Sequence, residues 1–387
     1  MKPFNNISPV LLISTVVTIF FLTTTINCEK TQFEKKKAEA IDKMVREFFD
    51  SDFLPSLSIG LVQDEKLVYA RAYGIADKIT GCPATIETIY EMGSVGKVLT
   101  STVLAILNER GVVRIDDPVL KWVPAISNIP EHPEGGPPIT LEHLVTHTSG
   151  LPANPANVDH LPPYQWKDYS PEQLHEGFKK TELLNPPGKE LAYSNLGMGL
   201  LGHVLASATG KSYEQVIEDE LLLPLGMKDT VIPLREDQKE RYSVGYESNE
   251  SLKEVPYWEY GILAGCGAHR SNVPDLARFL KAQWGIPADH NNPLTENVRS
   301  ELHRIRWKSE DGETLISLGW FAVLHEGIGT LLVHRGRTPG HGAVVGFIPE
   351  KRAGVIVLTN RGGRDANIKI ADFAEKLLLE FLSDNES

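Results

Sequence analysis

Cysteine is scarce in this 387-residue chain, with three residues at Cys28, Cys82 and Cys266. A disulfide-stapled scaffold is therefore excluded, and Cys82 and Cys266 are expected to be buried thiols. Basic clusters are equally scarce. The net charge is −12, and the longest Lys/Arg block is Lys35-Lys36-Lys37. Phosphate backbones need a basic stripe, so nucleic acid is excluded as a partner. No 20–50-residue period recurs, which excludes a solenoid or propeller. A Gly-rich phosphate loop of the G-x-x-x-x-G-K-[ST] type is absent, as is the G-x-S-x-G elbow. Nothing implies a nucleotide cofactor, and no cofactor of any kind is expected.

Long apolar runs are missing too, except at the start. Lys2 is the sole charge in residues 1–27, and 10–26 is a 17-residue uncharged stretch. That is short for a membrane span of about 20 residues and suits a signal-peptide core. It ends at Asn27-Cys28, where bacterial lipoproteins are cleaved and acylated, although Asn27 replaces the usual small residue. Cys28 is the expected lipidation site, which would hold the exported protein at the cell envelope. A cleaved secreted form and an uncleaved signal anchor are the alternatives.

The remainder of the chain reads as an α+β domain. Residues 1–27 form the signal, 28–35 a polar spacer, and 36–383 one domain. Ile41, Met44, Val45, Phe48 and Phe49 fall on one helical stripe. Leu57–Val62 and Leu67–Tyr73 predict a hairpin across Gln63–Lys66. Helical character begins at Ser94 and stops at Gly111. Strands return late, at Leu315–Ala322, Leu331–His334, Ala343–Ile348 and Val355–Leu358, before a final helix carrying Ile370, Phe373, Leu377 and Phe381. An antiparallel sheet built from both chain ends is therefore expected, with a sheet part of about 36–92 plus 312–383. A large helical insertion of about 93–311 would be carried on it.

Ser94-Val95-Gly96-Lys97 places a hydroxyl and an amine one helical turn apart on one face. Desolvation penalises an ammonium, and a neutral amine can take the proton of a weak nucleophile. Ser also caps helices, so the spacing alone decides nothing.

Longer phrases decide more. Ile139–Pro152, Pro187–Asn195, the run His334-Arg-Gly-Arg-Thr-Pro-Gly-His-Gly342 and the closing Val355–Asn360 resemble the class C β-lactamase and penicillin-binding-protein-like serine hydrolases. The family also holds esterases, D-aminopeptidases and DD-carboxypeptidases, and the resemblance runs from about 36 to 383. It implies Ser94 as nucleophile, Lys97 as its base or proton shuttle, and Tyr193 as proton relay. Asn195 would bind the substrate amide and the lysine. His334 and Gly336 match the third motif, K/H-x-G, and the backbone N–H groups of Ser94 and Arg337 would form an oxyanion hole. The expected substrate is a small molecule or peptide with an ester, amide or lactam carbonyl.

Of three His-x-Gly sites, His175 lies in a helical stretch and His325 in a turn, where a solvated ring is expected; His334 ends an apolar strand. With His334 where β-lactamases carry Lys, and Arg335 where they carry a hydroxyl, esterase or D-amino-acid peptidase chemistry is favoured over efficient β-lactam hydrolysis. The alternative is a muropeptide-binding or penicillin-binding envelope protein that does not turn over. His143 and His147 share a helix-like spacing but have no third partner, so capping or packing is expected and no metal.

Overall fold

The computed structural model describes residues 37–51, 54–126, 130–158, 166–248, 252–286 and 292–383. Cys28 and the apolar run before it lie outside these. Among the described residues no helix is long and apolar enough to cross a membrane. Helix α1 spans 37–51, with Ile41 and Val45 of the expected stripe buried. It belongs to one compact unit, and Phe53–Leu382 form another.

In the second unit, β1 (Ser56–Gln63) and β2 (Lys66–Asp77) form the expected hairpin, turned at Asp64 with φ of +52°. Strand β1 then pairs on its other side with the last strand, β13 (Ala353–Thr359), from Leu57↔Thr359 to Gln63↔Ala353. The two chain ends thus meet at the sheet centre. Outward from β13 run β12 (Gly342–Ile348), β11 (Gly329–Arg337), β10 (Phe321–His325), β9 (Leu315–Ile316) and β8 (Trp307–Lys308), while β3 (Cys82–Pro83) edges β2. All these pairings are antiparallel, as expected. The segment expected as one strand over 315–322 is two, because Ser317–Trp320 turns back at Gly319 with φ of +83°. Cys82 is exposed on the edge strand, contrary to expectation, whereas Cys266 is buried; both are free thiols. An edge strand has no neighbour to cover it.

Both faces of the central strands are covered. On one, α8 (Val273–Ala282) approaches so closely that a Cβ at Gly60 would lie 2.7 Å from the Val273 side chain. On the other, α10 (Arg364–Leu382) places Ile370 against Gly342 of β12. The insertion carries α2 (Gly96–Glu109), α3 (Leu141–Val145), α4 (Pro171–Phe178), α5 (Asn195–Thr209), α6 (Tyr213–Ile217), α7 (Leu223–Leu225) and, after α8, α9 (Glu296–His303). Thr140, Ser170, Ser194, Ser212 and Thr295 each start one of these by accepting a backbone N–H, which fixes where the helices begin. Two short ladders complete the insertion: β4 (Tyr90–Glu91) with β7 (Arg270–Ser271), and β5 (Gly245–Tyr246) with β6 (Glu254–Val255).

Candidate active site

Ser94 sits in a 3-10 turn, Gly93–Val95, that runs straight into α2. The turn keeps the expected stacking. Lys97, 1% exposed, donates to Ser94 Oγ at 3.0 Å, Asn195 Oδ1 at 2.8 Å and the Cys266 carbonyl at 2.6 Å. Two of these partners can only accept, and the hydroxyl can also donate. An ammonium satisfies all three. A neutral amine keeps two donors for Asn195 and Cys266 and turns its lone pair to the Ser94 proton. One geometry therefore serves both protonation states, which is what a proton shuttle needs.

Glycines bring the two fixed acceptors onto one amine. Helix α5 lies against the turn Gly261–Cys266, where a Cβ at Gly199 would be 2.5 Å from the Leu263 side chain and one at Gly202 would be 3.0 Å from Gly265 Cα. Asn195 opens that helix, and its Nδ2 donates to Asn154 Oδ1 at 3.1 Å, which orients its oxygen toward Lys97.

Tyr193 brings its ring to 5.0 Å from Lys97 Nζ and is 36% exposed. Beneath it lies His147, with ring centroids 4.3 Å apart and a left-handed φ of +58°. Burial, then the charges of Lys97 and His334, hold this imidazole well below its ordinary pKa. Its Nδ1 accepts the Ser194 N–H at 3.2 Å, so a neutral ring fixes the Tyr193 backbone and face together. His143 accepts the Thr140 N–H at 3.2 Å in a capping box. The expected packing and capping roles hold for this pair. Among the described residues no cluster of three or more His, Cys, Asp or Glu could hold a metal ion.

The third expected piece arrives on β11. Thr338 N–H bonds the His341 carbonyl at 2.9 Å, so the next pair, Arg337↔Gly342, is a non-hydrogen-bonded one. Arg337 N–H and C=O then point off the sheet, past the end of β10, toward the serine turn. Gly93, at φ of +48°, meets them there, since a Cβ on it would lie 2.5 Å from the Arg337 oxygen. Gly336 is tighter still: its Cβ would overlap the Met92 carbonyl and sit 2.9 Å from Ser94 N. Gly336→Ala is accordingly expected to push β11 from the serine and lower kcat about 10²-fold, the effect of a misplacement near 1 Å. Steady-state kinetics on a variant that still melts cooperatively checks this.

His334 is 2% exposed, and Nδ1 faces the Arg335 carbonyl at 2.9 Å, so that nitrogen carries the hydrogen. Burial and the nearby Lys97 push its pKa down to about 3. It is neutral and offers no fixed charge. The side chains of Arg335 and Arg337 are exposed on the opposite face, and among the described residues neither forms an ion pair. Of the competing motifs, His175 lies within α4, as expected. His325 is not simply solvated, because its Nε2 contacts Glu375 at 3.3 Å.

The β-lactamase family matches the chain over residues 41–379. The chain belongs to that family.

Among curated relatives, the D-alanyl-D-alanine-carboxypeptidase/endopeptidase AmpH of Escherichia coli K12 is 27% identical, over 90% of each chain. A β-lactamase of Pseudomonas fluorescens is 26% identical over 84% of this chain and 93% of its own. Among solved structures, the octameric penicillin-binding protein homologue from Pyrococcus abyssi superposes with a TM-score of 0.74 at 28% identity. It covers 88% of this chain and 77% of its own. A class C β-lactamase reaches a TM-score of 0.77 at 24% identity, covering 91% and 98% of the two chains, and supports the fold.

In this β-lactamase-family serine hydrolase, Ser94, Tyr193 and Arg337 stand where two lobes of one cleft meet. The larger, about 660 Å³, is walled by Trp166, Trp258, Asn154 and Thr338. The smaller, about 440 Å³, is lined by Phe321, Val333, His334 and Asn367. Sequence reasoning missed several of these. Asn367 on α10 anchors the strand by donating to the Gly336 carbonyl at 2.7 Å. The Cys266 contribution is a backbone oxygen, which no residue type announces.

Proposed function

We propose that this enzyme hydrolyses esters or D-amino-acid peptides through an acyl-enzyme on Ser94, and is not an efficient β-lactamase. The observation that carries the reading is the buried Lys97 amine held against Ser94 Oγ at 3.0 Å by two fixed acceptors. Ser94 Oγ attacks the substrate carbonyl as its proton passes to Lys97, and the N–H groups of Ser94 and Arg337 hold the oxyanion. Such donors are worth about 10²–10³ each in rate. The proton then passes through Lys97 and Tyr193 to the departing alcohol or amine. Water activated by the same groups cleaves the ester bond to Ser94 and restores the enzyme.

The substrate preference has separate support. A neutral His334 stands where a permanent cation would face a lactam carboxylate. The similarity to a protein named as a D-alanyl-D-alanine carboxypeptidase points the same way. Arg335 and Arg337 at the mouth suit the free carboxylate of a peptide end.

The test is to incubate wild type and Ser94→Ala with p-nitrophenyl acetate, a D-alanyl-D-alanine peptide and nitrocefin. Ser94-dependent multiple turnover of the first two, with slower nitrocefin hydrolysis, is expected. A single stoichiometric adduct without turnover would instead make this a binding protein. Nitrocefin as the fastest substrate would overturn the preference.

A further inference from the structure

One buried carboxylate beside the site takes no part in this acyl-transfer chemistry. Glu91, 4% exposed, lies three residues before Ser94, on the strand paired with Arg270. Its Oε1 accepts the Trp258 N–H at 2.6 Å and lies 3.7 Å from Arg270 Nη2. Its Oε2 lies 3.4 Å from His341 Nδ1, an ion-pair contact longer than a well-formed hydrogen bond.

Thr338 and His341 are the two ends of the turn that follows Arg337. Besides the backbone bond that closes it, His341 N–H donates to Thr338 Oγ1 at 3.1 Å. Through His341, which is bonded to Thr338, this one side chain ties that turn to the strand leading into the nucleophile and to the backbone of the cleft wall.

One proton can be placed. The His341 ring is 1% exposed, and Nε2 lies 3.0 Å from the Ser243 carbonyl, which can only accept. Nε2 therefore carries a hydrogen. The ring Nδ1 faces the carboxylate across the 3.4 Å contact. Burial by itself raises the Glu91 carboxyl, but bonding to His341 and the charges of His341 and Arg270 outweigh it and hold it below its usual value. Two titratable neighbours, Tyr242 and Tyr260, are pushed well above their ordinary value by burial first, with Glu91 adding to it, and stay neutral. The carboxylate thus lies between the Arg270 guanidinium and the His341 ring.

Stability is a weak reason for such a cluster, because apolar groups of equal volume often replace a buried ion pair without loss. Register is a better one. The oxyanion hole needs two N–H groups from segments more than 200 residues apart in the chain, at Ser94 and Arg337, held to a fraction of an ångström.

We propose that Glu91 is a positioning residue for the hydrolysis, fixing Arg337 N–H relative to Ser94 through Thr338 and His341. The proposal rests on the reading of Ser94 as the acylated nucleophile.

The experiment is a double-mutant cycle of Glu91→Gln and His341→Gln in the full protein, read as kcat, KM and melting temperature with p-nitrophenyl acetate. Glu91→Gln keeps an acceptor for the Trp258 N–H but removes the charge that faces His341 and Arg270. Each single change is expected to lower kcat about 10²-fold with KM nearly unchanged, and the double variant to fall no further. An unchanged kcat, losses that multiply, or parallel changes in KM and melting temperature would each overturn the proposal. Should Glu91→Gln fail to fold, Thr338→Val removes the acceptor of the His341 N–H, the next contact between Glu91 and Arg337, while sparing the ion pair. A smaller loss of kcat is then expected, and none would overturn the idea. Activity that persists in Ser94→Ala would instead remove the acyl-enzyme reading itself, so the two failures are distinguishable.

Discussion

Ser94→Ala is expected to lose about 10⁴–10⁶ in kcat while remaining folded, and Lys97→Met to lose a similar factor while also losing stability. The difference lies in what each removal leaves behind. Without the Ser94 hydroxyl, Lys97 Nζ still has Asn195 Oδ1 at 2.8 Å and the Cys266 carbonyl at 2.6 Å. Without the amine, both of those acceptors lose their donor inside a site where Lys97 is 1% exposed. A buried polar group left unpaired costs about 1–3 kcal/mol, so the methionine variant should melt several degrees lower than the alanine one. Because the two groups work as a unit, the double variant should be no less active than the worse single one. Kinetics beside thermal melting on the three variants checks this. Equal stability of the two single variants would mean that Lys97 is not the donor those oxygens depend on.

The sheet was legible because its signals are local and strong. Residues 57–62 and 355–358 are apolar runs, and the structure pairs them as neighbours at the centre. Likewise, hydroxyl and amine at i and i+3 are a helix-period signal, which survives the 3-10 geometry at Ser94. Where the reading failed, a single residue or an edge was responsible. Gly319 in a left-handed conformation breaks an apolar run that alternation alone reads as one strand. Cys82 sits on a two-residue edge strand, and burial there depends on neighbours that no local pattern reports.

Three-dimensional recruitment escaped altogether. The Cys266 carbonyl, the Asn367 amide and the Glu91–His341 contact depend on packing between segments far apart in the chain. Glu91 would pass for a solvated charge in any sequence window. Only the closed β4–β7 ladder, with Arg270 opposite it, makes the residue buried.

Acid should weaken this fold well before its carboxylates are protonated. His269 and His334, both buried, have pKa values held down to about 3, by burial first and then by Arg270 and Lys97 respectively. Unfolded, each ring titrates near 6.5. Above that pH both states are neutral and neither ring affects stability. Between about 6.5 and 3 the unfolded chain binds protons that the native chain refuses, so the balance shifts toward unfolding as pH falls. Each ring contributes at most about 1.4 kcal/mol per pH unit, and the two together about 2.7. His147, depressed by the same cause, adds in the same direction. Glu91, held below its ordinary value, joins only below about pH 4.5, where its stabilising charge begins to be lost. Urea unfolding at pH 7.5, 6.0 and 5.0 is therefore expected to give a flat, then steeply falling, free energy. His269→Gln, which retains a partner for the Tyr213 hydroxyl 3.3 Å from Nε2, should lower the proton uptake on unfolding by about one. A slope below the one-proton value of about 1.4 kcal/mol per pH unit would mean that these rings accept protons in the folded enzyme, and that the interior around Lys97 is wetter than its burial implies.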